Sequence, residues 1–283
     1  MNAQEALLRW LECRLEPADQ SWLRECCLKL AAGVPDRLLY LIFSQAVRHA
    51  GKRPLAADPV EQSEAFSIHP GWDLNDWTRD QAARAAILLS IPPGSGAVAA
   101  ILALHQTADL GEHLALMRCL FLLPDAKGLL HIAREAIRSN MRDVFAAISQ
   151  RNPYPAGYCD EIAWNQMVVK CMFVDLPLRF IYGLDRRANK ELRRILVDLW
   201  LERTAARRPF SSEAWRCVGP FADEKAMSAM ENALNSPLPE RRGAALGLWS
   251  VPEEKGRAVL KVKAPELISS LQTGILNWEN YDA

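Results

Sequence analysis

Apolar residues with helical spacing run through almost the whole of this chain, and strand-like alternation of polar and apolar residues is nearly absent. Leu7 and Leu11 show the pattern, since they lie one helical turn apart on the same face. Proline and glycine at Pro17, 33–35 and Gly51 separate the apolar stripes into short segments. A stripe of this kind is buried against another helix. The sequence therefore predicts an all-α fold of short, antiparallel helix pairs.

Helix pairs follow one another at intervals of about 30 to 45 residues, which is the spacing of helical-repeat proteins. Residues 239–246, Pro-Glu-Arg-Arg-Gly-Ala-Ala-Leu, resemble the start of a HEAT-type helix. These observations predict an α-α superhelix of stacked helix pairs, HEAT-like in its packing. We expect a single all-helical domain over 1–283, with a minor N-terminal subdomain at 1–50 and a long loop at 50–75.

The overall charge favours no polyanionic partner. The 34 basic and 34 acidic residues cancel, so no global field attracts nucleic acid or an anionic membrane. Arg203, Arg207 and Arg208 are the nearest candidate for a local basic patch, and we expect them to complement a helix C-terminus and stay in water. No apolar run approaches the roughly 20 residues needed to span a bilayer. The sequence predicts a protein that neither binds nucleic acid nor spans a membrane.

Cysteine usage and the start of the chain both predict a cytoplasmic location. The seven cysteines are odd in number and show no Cys-x-x-Cys or Cys/His spacing typical of zinc sites. Most of them fall on apolar helical stripes, where a thiol behaves as a small hydrophobic group. The first residues lack the basic flank and apolar core of a signal peptide.

The common signatures of catalysis are absent from the sequence. It contains no Gly-x-Gly-x-x-Gly, no P-loop and no Gly-x-Ser-x-Gly elbow. The five histidines are scattered and never adopt the spacing of a helical metal site. We therefore expect no catalytic residue, no metal and no cofactor.

The helix predicted near 158–174 is apolar almost all round, which is typical of a central, buried helix. Asn165 falls inside its apolar surface, and burying an amide without partners costs about 1–3 kcal/mol. Asn165 is thus predicted to bond to a neighbouring helix, a turn or a ligand. Gln166 and Lys170 form a narrow polar strip that faces either solvent or a groove.

On the same helix, Ile162, Val169 and Phe173 lie together at 100° per residue and add to the apolar surface. We expect them to be part of the buried face.

The segment Asn152-Pro153-Tyr154-Pro155 predicts a rigid turn, because each proline fixes its own φ and restricts the residue before it. Tyr154 would be held there in a fixed orientation. It either seals a helix junction or stacks on a ligand.

Residues 184–189 lead into another helix, for which Asn189 is the predicted N-cap and Asp185 an alternative one. Arg179 and Arg187 are candidates for a bidentate anion site beside that helix N-terminus.

The nine tryptophans are many for the length of the chain. We expect Trp164, Trp200 and Trp215 to anchor the core, whereas Trp72 and Trp77 flank the predicted long loop and are candidates for a lid.

The order of the central motifs resembles the EboA family. Those motifs are Asn-Pro-Tyr-Pro at 152–155, Trp-Asn-Gln-Met at 164–167, Gly-Leu-Asp at 183–185, Ala-Asn at 188–189 and Trp-Arg-Cys-Val-Gly-Pro-Phe at 215–221. The resemblance is closest over 152–221, extends more loosely to the helices from about Trp77, and includes little of the first 75 residues. It places the family core at 76–250. Lys190 departs from the pattern, since the family is expected to favour proline there.

The resemblance implies a cytoplasmic bacterial protein of secondary metabolism. Its gene cluster is expected to encode a UbiA-like prenyltransferase and several sugar- or hydrolase-like enzymes as well, and to move a metabolite towards the periplasm. The implied partners are other Ebo-cluster proteins, among them the membrane prenyltransferase, and a small-molecule metabolite.

Two functions remain open at this point. The first is a non-enzymatic adaptor or metabolite-binding protein in the biosynthesis or trafficking of a specialised metabolite. The alternative is a cryptic all-helical enzyme acting on a pathway intermediate, with a site built from Tyr154, Asn165, Lys170, Asp185 and Arg187. Both require the polar side chains of the central motifs to meet in one recess. The ligand- or partner-binding candidates are Tyr154, Asn165, Gln166, Lys170, Arg179, Asp185 and Arg187.

Overall fold

The computed structural model describes residues 1–33 and 36–282, apart from the side chains of Asp36 and Ser95. All regular secondary structure in that part of the chain is helical, so the all-α prediction is confirmed. Extended segments meet there only in an isolated antiparallel bridge between Pro54 and Thr78. The turn predicted at 33–35 falls mostly outside the described residues.

Contacts between residues divide the chain into two compact units, Met1–Asp160 and Glu161–Ala283. Within each unit, most helices pack on a sequence neighbour or on the next helix but one, which is consistent with a superhelix, but the first helix of the chain packs mainly on the fifth. The single domain over 1–283 and the HEAT-like packing stay predictions.

The first unit consists of short helices joined by turns and loops. Its α-helices are α1 (Ala3–Glu12), α2 (Pro17–Ala31), α3 (Asp36–Ala50), α4 (Pro59–Ile68), α5 (Arg79–Leu89), α6 (Ser95–Thr107), α7 (Leu110–Cys119), α8 (Leu130–Arg138), α9 (Arg142–Ser149) and α10 (Tyr154–Tyr158), with 3-10 turns at Leu120–Leu122 and Ala126–Leu129.

Helix α5 lies at the centre of the first unit, where it contacts α1, α2, α3 and α7. Its alanines are buried, and their small side chains allow these neighbours to approach on several sides. Asp80 and Arg84 form a buried ion pair on α5, and Arg84 Nε also donates to the carbonyl of Phe43 at 3.0 Å. These bonds satisfy a guanidinium that burial would otherwise penalise.

The second unit has the same construction. Its α-helices are α11 (Glu161–Phe173), α12 (Lys190–Ala205), α13 (Trp215–Val218), α14 (Glu224–Ala233), α15 (Glu240–Trp249), α16 (Lys255–Lys263) and α17 (Pro265–Gln272), with 3-10 turns at Leu178–Phe180, Ser212–Ala214 and Gly219–Phe221.

Helix α15 is the centre of the second unit and contacts α13, α14, α16 and α17. A Cβ atom at Gly243 would lie 2.5 Å from Cβ of Ser212, closer than real Cβ atoms approach. Glycine at 243 therefore allows the 3-10 turn at 212–214 to pack directly on α15. This close approach sets the position of Glu213.

Three helices, α4, α10 and α16, were not expected from the sequence, which predicts only a rigid turn where α10 begins. Helix α4 lies inside the segment 50–75, so the prediction of one long loop there is wrong. It buries only Ala65 and has no apolar stripe, but Asp58 and Glu61 form a capping box that starts it. Helix α16 was also missed.

Helix α11 is buried on one face only, which corrects the prediction of a helix enclosed on all sides. Trp164 and Met167 are wholly buried on its inner face. Ile162 and Phe173 on the opposite face are 72% and 57% exposed. The apolar residues of α11 thus lie on two opposite faces. The sequence does not show which of these faces is buried and which is exposed.

Candidate functional site

In the first unit, the Asn-Pro-Tyr-Pro motif forms a closed cluster of buried hydrogen bonds. The side-chain amide of Asn152 donates to the carbonyls of Met117 and Ala147 at 2.9 Å each, and its oxygen accepts from the backbone N–H of Tyr154 at 3.0 Å. The Tyr154 hydroxyl donates to the carbonyl of Ala126 at 2.6 Å. Burial raises the pKa of Tyr154 above its ordinary value. Both side chains brace the turn, which is the first of the two roles expected for Tyr154.

In the second unit, Asn165 and Asn189 form a reciprocal amide pair. The two N–H···O distances are 3.2 and 2.9 Å. Asn189 also accepts from the backbone N–H of Leu192 at 2.8 Å, so it is the N-cap of α12. The expected partner of Asn165 is therefore the start of the next helix.

Asp185 and Arg187 have separate partners. Arg216 forms a two-bond ion pair with Asp185, with Nη2 2.6 Å from Oδ2. Asp185 is therefore not the cap of α12. The guanidinium of Arg187 lies over the ring of Trp164, 4.8 Å from its centroid, a favourable cation–π contact.

The two residues of the polar strip on α11 differ in their exposure to solvent. Gln166 is exposed. Lys170 is half-buried, and burial lowers the pKa of its ammonium group.

Trp72 and Trp77 do not form a lid, because both are buried in the first unit. The ring of Trp72 lies 5.4 Å from that of Trp10 and 6.1 Å from that of Trp77. Trp164, Trp200 and Trp215 are buried in the second unit, as expected of core anchors.

A recess of about 300 Å³ in the second unit is the candidate functional site. This volume lies near the lower end of the range of small-molecule pockets. The recess lies where α11 and α12 both end and is lined by Met172, Asp175, Leu176, Pro177, Arg179, Arg203, Pro209, Phe210, Ser211, Glu213 and Tyr281.

An ion pair between Arg179 and Glu213 forms the polar side of this recess. Arg179 Nη1 lies 2.6 Å from Oε1 of Glu213, and the backbone N–H of Arg179 donates to Oε2 at 2.9 Å. Glu213 is 3% exposed, whereas the guanidinium is accessible and also reaches Asp282 at 3.3 Å. Burial lowers the pKa of Arg179, but the hydrogen bond to Glu213 and the charge of Glu213 and Asp282 outweigh it and raise the pKa above its ordinary value. Arg179 therefore presents a permanent positive charge to the recess.

The remaining wall combines apolar surface with a second arginine. Met172 and Phe210 supply apolar surface, and the Phe210 ring is held 5.3 Å from that of Trp215. Arg203 Nη1 donates to the carbonyl of Pro209 at 2.9 Å. Burial and the charge of Glu213 raise the pKa of Tyr281 to about 12, so its hydroxyl stays protonated at physiological pH. The recess thus fits a small ligand with an apolar body and an anionic or hydrogen-bonding end.

Sequence reasoning identified Arg179 but missed Glu213, Phe210 and Tyr281. Glu213 lies two residues before the motif that begins at Trp215, yet nothing in its spacing connects it to Arg179. Tyr281 follows a stretch of weak helical signal. Contacts between segments far apart in the chain, among them the 3-10 turns at 178–180 and 212–214, bring these groups together.

Comparison with known proteins identifies the family. The family model described as "Metabolite traffic protein EboA" matches residues 3–219. This chain belongs to the EboA family. Its match begins at residue 3, so the prediction that the first 75 residues carry little of the family pattern is wrong. No curated protein and no solved structure matches the chain.

The EboA match ends at residue 219, so Arg179, Phe210 and Glu213 lie within it and Tyr281 lies beyond it. No helix in the described part of the chain has the length and apolarity that crossing a membrane requires. Among the described His, Cys, Asp and Glu side chains, no group of three or more is arranged to hold a metal ion.

Proposed function

We propose that this EboA-family protein is a non-enzymatic metabolite-binding or adaptor protein in the biosynthesis or trafficking of a specialised metabolite. The recess beside Arg179 is the observation that carries the proposal. The recess combines apolar surface with a few charged groups, among them the guanidinium of Arg179, and this combination is typical of small-molecule sites.

The ligand we propose for the recess is a small amphiphile with a carboxylate, phosphate or hydroxyl at one end. Its apolar body would lie against Met172 and Phe210, and its polar end would meet Arg179. Because Glu213 already fixes the guanidinium, a ligand would not have to order this side chain, and binding would lose less entropy.

The bonds made by the central motifs favour binding over catalysis. Tyr154 donates its hydroxyl proton to a backbone carbonyl, Asn165 is paired with Asn189, and Asp185 with Arg216. A general acid or base has to reach the substrate within hydrogen-bond distance. These side chains are engaged with the protein instead.

Native mass spectrometry tests the proposal. The chain purified from a host that expresses the whole Ebo cluster should carry a bound small molecule, and the chain from a host without the cluster should not. Ser211→Trp fills the recess and should abolish the adduct. Ser269→Trp, at an exposed position on α17, is the matched control and should retain it. Equal retention by both variants, or no adduct with the natural chain, would contradict a metabolite site in the recess.

We also propose that the protein acts in the cytoplasm with other Ebo-cluster proteins, including the UbiA-like membrane prenyltransferase. The family description as a metabolite traffic protein supports this. Affinity purification of the tagged chain in the presence of the solubilised prenyltransferase tests it, and recovery of the tagged chain without the enzyme would contradict it.

The enzymatic alternative is favoured by one observation, the lowered pKa of Lys170, whose largest cause is burial. Shifted lysines occur at catalytic sites. If Lys170 performed chemistry, Lys170→Ala would stop production of the metabolite while the protein stayed folded. We expect production to continue at the level of the natural chain.

A further inference from the structure

The carboxylate of Asp282 already occupies the arginine that the proposed ligand would need. Arg179 Nη1 lies 2.6 Å from Oε1 of Glu213 and 3.3 Å from Oδ2 of Asp282, so two carboxylates share one guanidinium group. We propose that Asp282 is an internal competitor for the ligand of the recess, and that the polar end of this ligand is an anion that replaces Asp282 on Arg179. This inference rests on the proposed function and adds the class of ligand and the control of its binding.

The two carboxylates differ in how firmly they are held. Glu213 is buried, with 4% of its side chain exposed, and it also accepts from the backbone N–H of Arg179 at 2.9 Å. The side chain of Asp282 is 41% exposed, and Arg179 is the only ion-pair partner of its carboxylate among the described residues. Because an exposed ion pair contributes little to stability, Asp282 can leave Arg179 at small cost, whereas Glu213 cannot.

The segment that carries Asp282 is anchored beside the recess. Tyr281 is 5% exposed, and its ring lies 5.7 Å from that of Trp278. The side-chain amide of Asn280 donates to the carbonyl of Ile275 at 2.6 Å and closes the turn before them. A rotation about the side-chain bonds of Asp282 is therefore enough to free the guanidinium. The tether keeps this carboxylate close to the arginine, at a high effective concentration, when a ligand arrives.

Asp282 also changes the charge of the recess. Two arginines, Arg179 and Arg203, lie beside three carboxylates, those of Asp175, Glu213 and Asp282. An anion that enters therefore meets one excess negative charge, which repels it. When the Asp282 side chain turns to solvent, the two remaining carboxylates balance the two arginines. A neutral ligand cannot replace the charge of Asp282 on the guanidinium, so the exchange favours an anion.

Two fluorescent probes that differ by one anionic group test the inference. Anilinonaphthalene sulfonate has an apolar body and a sulfonate, and phenylnaphthylamine has the same rings without the sulfonate. In fluorescence titrations of the full chain, Asp282→Asn should bind the sulfonate probe at least about threefold more tightly than the natural chain does, because a competing carboxylate is gone. The affinity for the uncharged probe should not change. In molar salt the gain should shrink, since the charges are screened.

Glu279→Gln is the matched control. Glu279 is an exposed carboxylate of the same segment, but of the two acidic residues only Asp282 pairs with Arg179. The control removes the same charge and should leave both affinities unchanged. Ser211→Trp, which fills the recess, should abolish the gain when it is combined with Asp282→Asn. Both single changes affect exposed side chains, so the melting temperatures should stay close to that of the natural chain.

Four results would overturn the inference: equal affinity of Asp282→Asn and the natural chain for the sulfonate probe, an equal gain in Glu279→Gln, the same gain for the uncharged probe, or a gain that survives Ser211→Trp. None of them affects the metabolite adduct, which tests the recess as a ligand site. Absence of that adduct, with the threefold gain intact, would contradict the proposed function alone.

Discussion

The Asn152–Tyr154 cluster of the first unit and the Arg179–Glu213 pair of the second are both built from polar side chains in otherwise apolar helical surroundings. In the first cluster, the Asn152 amide makes three hydrogen bonds to backbone groups and the Tyr154 hydroxyl makes one. In the second, Glu213 is buried but its partner guanidinium borders an open recess. Similar residue types thus brace the chain in one place and present a charge to solvent in the other.

What separates the two regions is the identity of the bonding partner. Backbone groups take up both side-chain N–H donors of Asn152 and the single hydroxyl donor of Tyr154, so neither side chain keeps a donor for a ligand. The partner of Glu213 is a side chain with five N–H donors, so the pair keeps donors available. A buried polar residue in a distinctive motif therefore indicates a binding site only when its partners leave it incompletely satisfied.

Asn152→Ala should produce the largest loss of stability in this comparison. It leaves two carbonyls and one N–H buried without partners, each at about 1–3 kcal/mol, and we expect a total of about 3–5 kcal/mol. Urea unfolding measures it, with exposed Asn140→Ala as the control. A loss below about 1 kcal/mol would show that the cluster is not a brace.

Glu213→Gln should cost about 2 kcal/mol, because it removes the charge that faces Arg179 while the backbone N–H keeps an acceptor. The partial exposure of Arg179 keeps the figure below that of a fully buried pair. Chemical denaturation measures the loss in free energy of unfolding, with Glu202→Gln at an exposed position as the control. Equal stability of the two variants would mean that Glu213 does not hold the recess in place.

Tyr154→Phe should cost about 1–2 kcal/mol, since it leaves the carbonyl of Ala126 buried without a donor. Ligand retention in the native mass spectrum should stay unchanged. A folded, stable Tyr154→Phe protein that has lost its ligand would place Tyr154 in a binding site and reverse the comparison.

Tyr281, in the lining of the recess, should make the stability of the protein depend on alkaline pH. The folded pKa of Tyr281 is raised from 10.0 to about 12, so its contribution is complete below pH 10 and is lost as pH rises towards about 12. Tyr281→Phe should therefore lose less stability than the natural chain between these limits. Thermal melts of both proteins at several pH values measure how steeply the melting temperature falls with pH. An identical fall in the two proteins would contradict the burial of this hydroxyl.

The sequence predicted the helical class, the Asn189 cap and the need of Asn165 for a partner, because each depends on local spacing or on a single buried group. It did not predict which face of α11 is buried, since Ile162 and Phe173 are as apolar as the residues of the inner face. Nor did it predict the recess, which depends on the approach of 212–214 to Gly243 and on Tyr281. Such contacts join residues far apart in the chain and leave no periodic signal.

Helix α4, in contrast, had a local signal in the sequence that the prediction overlooked. Its start was present in the sequence as Asp58, Pro59 and Glu61, a capping box with proline at the first helical position. The missing apolar stripe concealed it, because α4 buries little surface. Capping residues would have predicted it where periodicity could not.

A crystal structure of the chain purified from a host that expresses the whole Ebo cluster tests the central claim most directly. The account predicts ligand density in the second unit, with an apolar body beside Met172 and Phe210 and a polar end within hydrogen-bond distance of Arg179. Density against Tyr154, Asn165 or Asp185, with the recess beside Arg179 filled only by water, would contradict it.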